Sequence, residues 1–226
     1  MPRNIMDIYV PPSEPAGSDN SEPLGNDDEV LSSSSGRPVA VFCHGGVWAS
    51  GAKWHYAPMA TRLAQQGILT CVVEYSLFPE VRAPKMVAEL SSALSWTLDN
   101  ISQYGGSPAK VTALGHSAGA QLWAMVLLHR AMTASEQRLR KESRTEIDQG
   151  AATVDCRMPA QFIGMAGVYD IGKHYQYEAA RGVHFLSTMA RAIGGAARFA
   201  SQSPAAILAR AAARSSGPKE SEPAAQ

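Results

Sequence analysis

At 226 residues with 45% hydrophobic content, the chain is sized for one globular domain with a sizeable core. Its 20 Lys and Arg balance 20 Asp and Glu, so net charge supplies no pull toward nucleic acid or an anionic membrane. No apolar stretch approaches the roughly eighteen residues of a membrane span, and the N-terminus lacks a charged-then-apolar signal pattern. The expectation is a soluble, cytoplasmic chain with no integral membrane segment. The three cysteines agree with it. Cys43 and Cys71 lie inside apolar runs, Cys156 lies in a polar connection, and none has the spacing of a metal site.

In chain order, Ile5 to Val10 alternates apolar and polar residues as a half-buried strand does, and Pro11-Pro12 ends it. Residues 13–36 are Ser, Pro, Gly, Asp and Glu with little to bury, which predicts a flexible insertion. Val39 to Cys43 is a continuous apolar run, read as a buried strand. A helix follows over about Tyr56–Gln66, stopped by Gly67, and Leu69–Glu74 is a strand rich in β-branched residues. Met86 to Tyr104 places apolar residues at 86, 87, 90, 94, 98 and 101, the spacing of one helix face, before Gly105-Gly106. Lys110–Leu114 reads as a short buried strand and Ala118–His129 as a helix. Residues 133–157 extend that helix and loosen into a loop, and Gln161–Met165 is a further strand. Leu208 to Gln226 carries Ala, Arg, Ser, Pro, Lys and Glu with no strand pattern, which predicts a disordered tail after a domain spanning 1–207. Strands alternating with helices of ten or more residues imply α/β architecture: a mostly parallel, doubly wound sheet with helices on both faces.

Two motifs sit at strand ends. Gly115-His116-Ser117-Ala118-Gly119 joins an apolar run to a helix, the setting of a nucleophile elbow. There the glycines let backbone segments pack around a sharp turn that lifts the serine hydroxyl above the sheet. Upstream, His44-Gly45-Gly46-Val47-Trp48 follows the Val39–Cys43 strand. Ester hydrolysis passes through a tetrahedral oxyanion, and amides aimed at that oxygen need residues without bulky side chains. Gly45 and Gly46 supply such amides, and Ala118, next to the serine, supplies another.

With these residues in view, the chain resembles the esterase/lipase-like branch of the α/β-hydrolases, which includes kynurenine formamidases and isoprenylcysteine methylesterases. The likeness runs from Asn4 to Ile207. Its marks include Val73-Glu-Tyr-Ser-Leu-Phe-Pro79, Tyr104-Gly-Gly-Ser-Pro108, Phe162-Ile-Gly-Met-Ala-Gly-Val-Tyr-Asp170, Arg181-Gly-Val-His184 and Ser203-Pro204. It most resembles the isoprenylcysteine methylesterases of plants and algae. The resemblance implies a serine carboxylesterase that demethylates prenylcysteine methyl esters through an acyl-enzyme at Ser117, acting on a small-molecule or prenylated-peptide ester. It implies no cofactor and no nucleic-acid partner, and points to endoplasmic reticulum or Golgi membranes as a place of action. Aryl formamidase activity and non-catalytic binding of an ester are the alternatives.

The family pattern places an acid after the seventh strand and a histidine after the eighth. No segment here reads as either strand, so the expected fold is an α/β-hydrolase sheet truncated after about strand six. Asp170 with His184 would keep the chain order Ser…Asp…His as a substitute triad, set against a capping role for Asp170. His129 lies twelve helical residues past Ser117, about 18 Å along the axis and out of reach.

Overall fold

The computed structural model describes residues 5–12, 36–142 and 154–215. The proposed insertion, apart from Gly36, lies outside them, as does the end of the proposed tail from residue 216. Five strands are described: β1 (Ile5–Tyr9), β2 (Arg37–Cys43), β3 (Leu69–Glu74), β4 (Gly106–His116) and β5 (Gln161–Met165). They form one sheet in the order β1-β3-β2-β4-β5. β1 runs antiparallel to β3, and every other neighbouring pair is parallel. Val41 at the centre of β2 aligns with Cys71 on one side and Ala113 on the other, and all three are buried. A central parallel strand is covered on both faces, which is why β2 reads as an unbroken apolar run.

The helices α1 (Ala57–Gln65), α2 (Ala83–Asn100) and α3 (Ala118–Glu142) cover the sheet. Odd-numbered β2 residues Val39, Val41 and Cys43 join the main core with Leu90 and Leu94 of α2 and Leu122 and Met125 of α3. Phe42 faces the opposite way and packs with Val72 and Ala60 of α1. Helices therefore lie on both faces, as the strand–helix alternation predicts. Burial raises both core thiols, Cys43 well above its ordinary value and Cys71 up to about 12, so neither is a reactive thiolate.

The boundaries of β3 and β5 match the sequence reading, and other elements differ for identifiable reasons. α2 starts at Ala83, earlier than its apolar spacing suggests, because Pro84 sits in the first turn where no N–H is needed. Its last predicted turn, Ile101–Tyr104, is a 3-10 helix closed by Gly105 at φ 80°. β4 opens at Gly106, not Lys110, because Gly106 already pairs with Arg37 of β2.

After β5 come α4 (Ile171–Ala180), α5 (Met189–Ile193) and α6 (Pro204–Ser215). α6 corrects the tail assignment over 208–215. Pro204 supplies a helix-ready φ, the amide of Ala205 donates to the Tyr169 carbonyl at 3.0 Å, and Ile207 packs on the core. Alanine, the best helix former, carries the rest without an apolar stripe.

Candidate active site

The site lies at the carboxyl ends of the parallel strands. Ser117 stands between β4 and α3 with φ 52°, a left-handed conformation uncommon for a residue with a Cβ. Both elbow glycines are there because backbone passes too close for a side chain. A Cβ on Gly115 would meet Ala120 Cα at 2.6 Å, and one on Gly119 would meet the Cys43 carbonyl oxygen at 2.2 Å. The first contact folds α3 back over β4, and the second presses the start of α3 against the end of β2. The Ser117 amide donates to the Met165 carbonyl at 2.8 Å, fixing the bend to the last residue of β5. The serine side chain is left partly exposed.

The glycine loop after β2 meets this bend. A Cβ on Gly45 would lie 2.9 Å from Ser117 Cβ, so the Gly45 backbone is directly beside the serine. Gly46 has φ 120° and its missing Cβ would meet the Ser50 carbonyl oxygen at 2.2 Å. Val47 and Trp48 follow at φ 44° and 59°, two consecutive non-glycine residues in the left-handed region. Such conformations cost about 1–3 kcal/mol each and persist when surrounding contacts over-determine them. The contacts are visible. The Trp48 carbonyl accepts from the Phe78 amide at 2.9 Å, and the Val47 carbonyl accepts from Thr188 Oγ1 at 2.7 Å. Trp48 is 1% exposed, and its indole N–H donates to Gln121 Oε1 at 3.0 Å. The tryptophan is a core anchor for this loop. Ala118 begins α3, so its amide is among the first-turn donors that the helix itself does not satisfy. The positive end of the helix dipole points to the same place.

His116 adjoins Ser117, its Nδ1 3.1 Å from where a Cβ on Gly45 would stand, and His44, His55, His174 and His184 hold other positions. His44 is fully buried, its ring stacked 4.6 Å from Tyr75 and its Nδ1 2.8 Å from the Gly45 carbonyl oxygen. His55 Nδ1 accepts from the Ala52 amide at 3.2 Å, and His174 pairs with Glu178 at 3.3 Å. Asp170 caps α4: its Oδ1 accepts from the Lys173 amide at 3.0 Å, and Lys173 Nζ lies 3.6 Å from Oδ2. His184 sets its ring edge-on to Tyr175 at 5.5 Å. Among the described residues no hydrogen bond joins Asp170 to His184, or either of them to Ser117. The sequence did not point to the Thr188–Val47 bond or to Trp48–Gln121, because each links residues more than seventy positions apart.

A parallel sheet with one antiparallel edge strand and a serine at a left-handed bend between strand and helix defines an α/β-hydrolase fold. Solved esterases share it. Esterase B from Lactobacillus rhamnosis superposes with a TM-score of 0.56 at 20% identity, covering 76% of this chain and 52% of that one. Thermogutta terrifontis esterase 2 superposes at 0.53 with 19% identity, covering 89% and 60%. The profile of the BD-FAE family matches residues 31–202, and the chain belongs to that family. A probable isoprenylcysteine alpha-carbonyl methylesterase of Oryza sativa subsp. japonica is 31% identical over 83% of the chain. The isoprenylcysteine alpha-carbonyl methylesterase of Arabidopsis thaliana is 30% identical over the same share. Esterase LipC of Mycobacterium tuberculosis is 30% identical over 66% of the chain. The chain spans 38% of the length of each plant relative and 34% of LipC. Among the described residues no helix is long and apolar enough to cross a membrane.

Proposed function

We propose that the chain carries the nucleophile and oxyanion donors of a serine carboxylic-ester hydrolase that demethylates prenylcysteine methyl esters. The observation that carries this reading is Ser117 at φ 52° with the Gly45 backbone against its Cβ. The substrate class comes from the plant methylesterases to which the chain is similar. In this reading Ser117 Oγ attacks the ester carbonyl carbon and its proton passes to a base. The carbonyl electron pair moves onto oxygen, where the amides of Gly45, Gly46 and Ala118 donate to it. Collapse of this intermediate breaks the C–OCH3 bond, the base returns the serine proton to the departing oxygen, and methanol leaves with the acyl group held on Oγ. Water then releases the carboxylate and restores the serine. This chemistry calls for side chains, backbone amides and water, and among the described residues no hydrogen bond joins Ser117 Oγ to a base.

Asp170 and His184 are not part of the reading, since the carboxylate caps α4 and the imidazole packs on Tyr175. A serine-directed phosphonate probe tests the nucleophile. The expected result is one covalent adduct, mapped to Ser117 and lost in Ser117→Ala. A folded wild-type chain that takes no adduct, or takes it elsewhere, sinks the proposal. Paired assays with a prenylcysteine methyl ester and an aryl formamide then test the substrate class, since one elbow serves both. Non-catalytic ester binding is the second reading, favoured by the capping role of Asp170. Saturable binding of the ester with no hydrolysis sensitive to Ser117→Ala would select it.

A further inference from the structure

The charge of the chain is balanced overall but not along its length. Residues 171–215 hold six Lys and Arg against one acid, Glu178. This stretch follows the carboxyl end of β5, so it begins at the same end of the sheet as Ser117. Arg82, following β3, joins it: the side chains of Arg82 and Arg198 both approach Gly194. Arg191 lies over the Phe78 ring at 5.9 Å, and Arg181 over the Tyr177 ring at 5.4 Å. Acids at this end include Glu80, Asp170 and Glu178, together with Glu74, which accepts from the Lys53 amide, and Glu89, which accepts from Ser76. Asp170 lies against Lys173, and Glu178 against His174.

Within this cation-rich stretch an apolar tip is exposed to solvent. Val183, Phe185 and Leu186 are 40%, 69% and 71% exposed. The tip is a formed turn: the Val183 amide donates to the Glu178 carbonyl at 3.0 Å, and the Leu186 amide to the Val183 carbonyl at 3.0 Å. The Thr188–Val47 hydrogen bond fastens its far side to the loop beside Ser117, and Val47 is itself 45% exposed.

We infer that this tip docks the protein on an anionic lipid bilayer, inserting Phe185 and Leu186 while Arg181, Arg191 and Arg198 meet the phosphates. An exposed apolar turn within a cation-rich stretch of chain matches the layering of a bilayer, where acyl chains lie beneath anionic headgroups. Arginine stems also lie along apolar surface while the guanidinium stays with phosphate. Docking in this orientation turns the Ser117 end of the sheet toward the lipid. The inference stands on this surface and does not need Ser117 to be catalytic.

Co-sedimentation with vesicles tests it, comparing phosphatidylcholine containing phosphatidylserine with phosphatidylcholine alone. Wild type is expected to partition onto the anionic vesicles and to be released by salt. Phe185→Ser with Leu186→Ser should weaken that partition by about tenfold or more, with an unchanged circular dichroism spectrum. Arg181→Gln with Arg198→Gln should weaken it severalfold on anionic vesicles only. Ser117→Ala should bind as wild type does, which separates this result from the chemistry. Wild type failing to bind anionic vesicles, or the serine pair binding as tightly as wild type, overturns the inference. So does a serine pair that changes only the sedimentation coefficient, which would assign the tip to a second copy of the chain.

Discussion

Gly119 shows how much of the site is decided by single residues. Its missing Cβ would stand 2.2 Å from the Cys43 carbonyl oxygen and 2.5 Å from that of His44. Both are backbone atoms at the end of β2 and cannot swing aside, so Gly119→Ala must push α3 off the sheet. A loss of about 3 kcal/mol is expected, at the upper end for overpacking, read as a lower urea midpoint with phosphonate labelling reduced in parallel. An unchanged midpoint would mean that the helix start is not held as described. This part of the site was legible in the sequence, because Gly115, Ser117 and Gly119 are neighbours and their spacing encodes the bend. The strain at Val47 and Trp48 was not. Nothing in those residue types predicts a left-handed backbone, and the groups that hold it, Phe78 and Thr188, come from distant segments.

At the scale of elements, Asp170 tests whether a residue in the right chain order does chemistry or architecture. As the N-cap of α4 it accepts from the Lys173 amide. Asparagine caps as well as aspartate does, whereas alanine leaves a first-turn amide unpaired. Asp170→Ala is therefore expected to cost about 1 kcal/mol, and Asp170→Asn much less, both measured by chemical denaturation. Labelling of Ser117 should follow neither change. If Asp170→Asn abolished labelling while the fold stayed stable, the substitute triad would be restored. Elements bounded by clear stops, such as β3 after Gly67, were readable to the residue. α6 was not, because an alanine-rich helix has propensity without an apolar stripe, and only its first turn meets the core.

For the whole molecule, the two edges of the sheet differ. β5 pairs only with β4 among the described residues, and all five of its residues are exposed. Phe162, Ile163 and Met165 are 36%, 48% and 40% exposed, so one long side of the sheet offers both unpaired backbone and apolar side chains. Edges of this kind recruit further strands unless a charge blocks them. The chain is expected to self-associate with rising concentration in sedimentation velocity, and Ile163→Lys to suppress this with little change in unfolding midpoint. Equal association by both proteins would place the contact elsewhere. The alternation of strands and helices made the sheet itself readable. Strand order was not, since adjacency depends on which crossovers pack and not on local composition.

That order has a consequence for how the molecule is made. Among the described strands β1 pairs only with β3, with Met6 opposite Val73, although β2 comes between them in the chain. During synthesis the earlier strand must therefore stay unclaimed until Glu74 has cleared the ribosome exit, and by then β2 is available to take the other side of β3. Among the described residues β1 forms the edge on that flank, so a fusion attached ahead of Ile5 would burden the late docking of a strand and leave the elbow free to form.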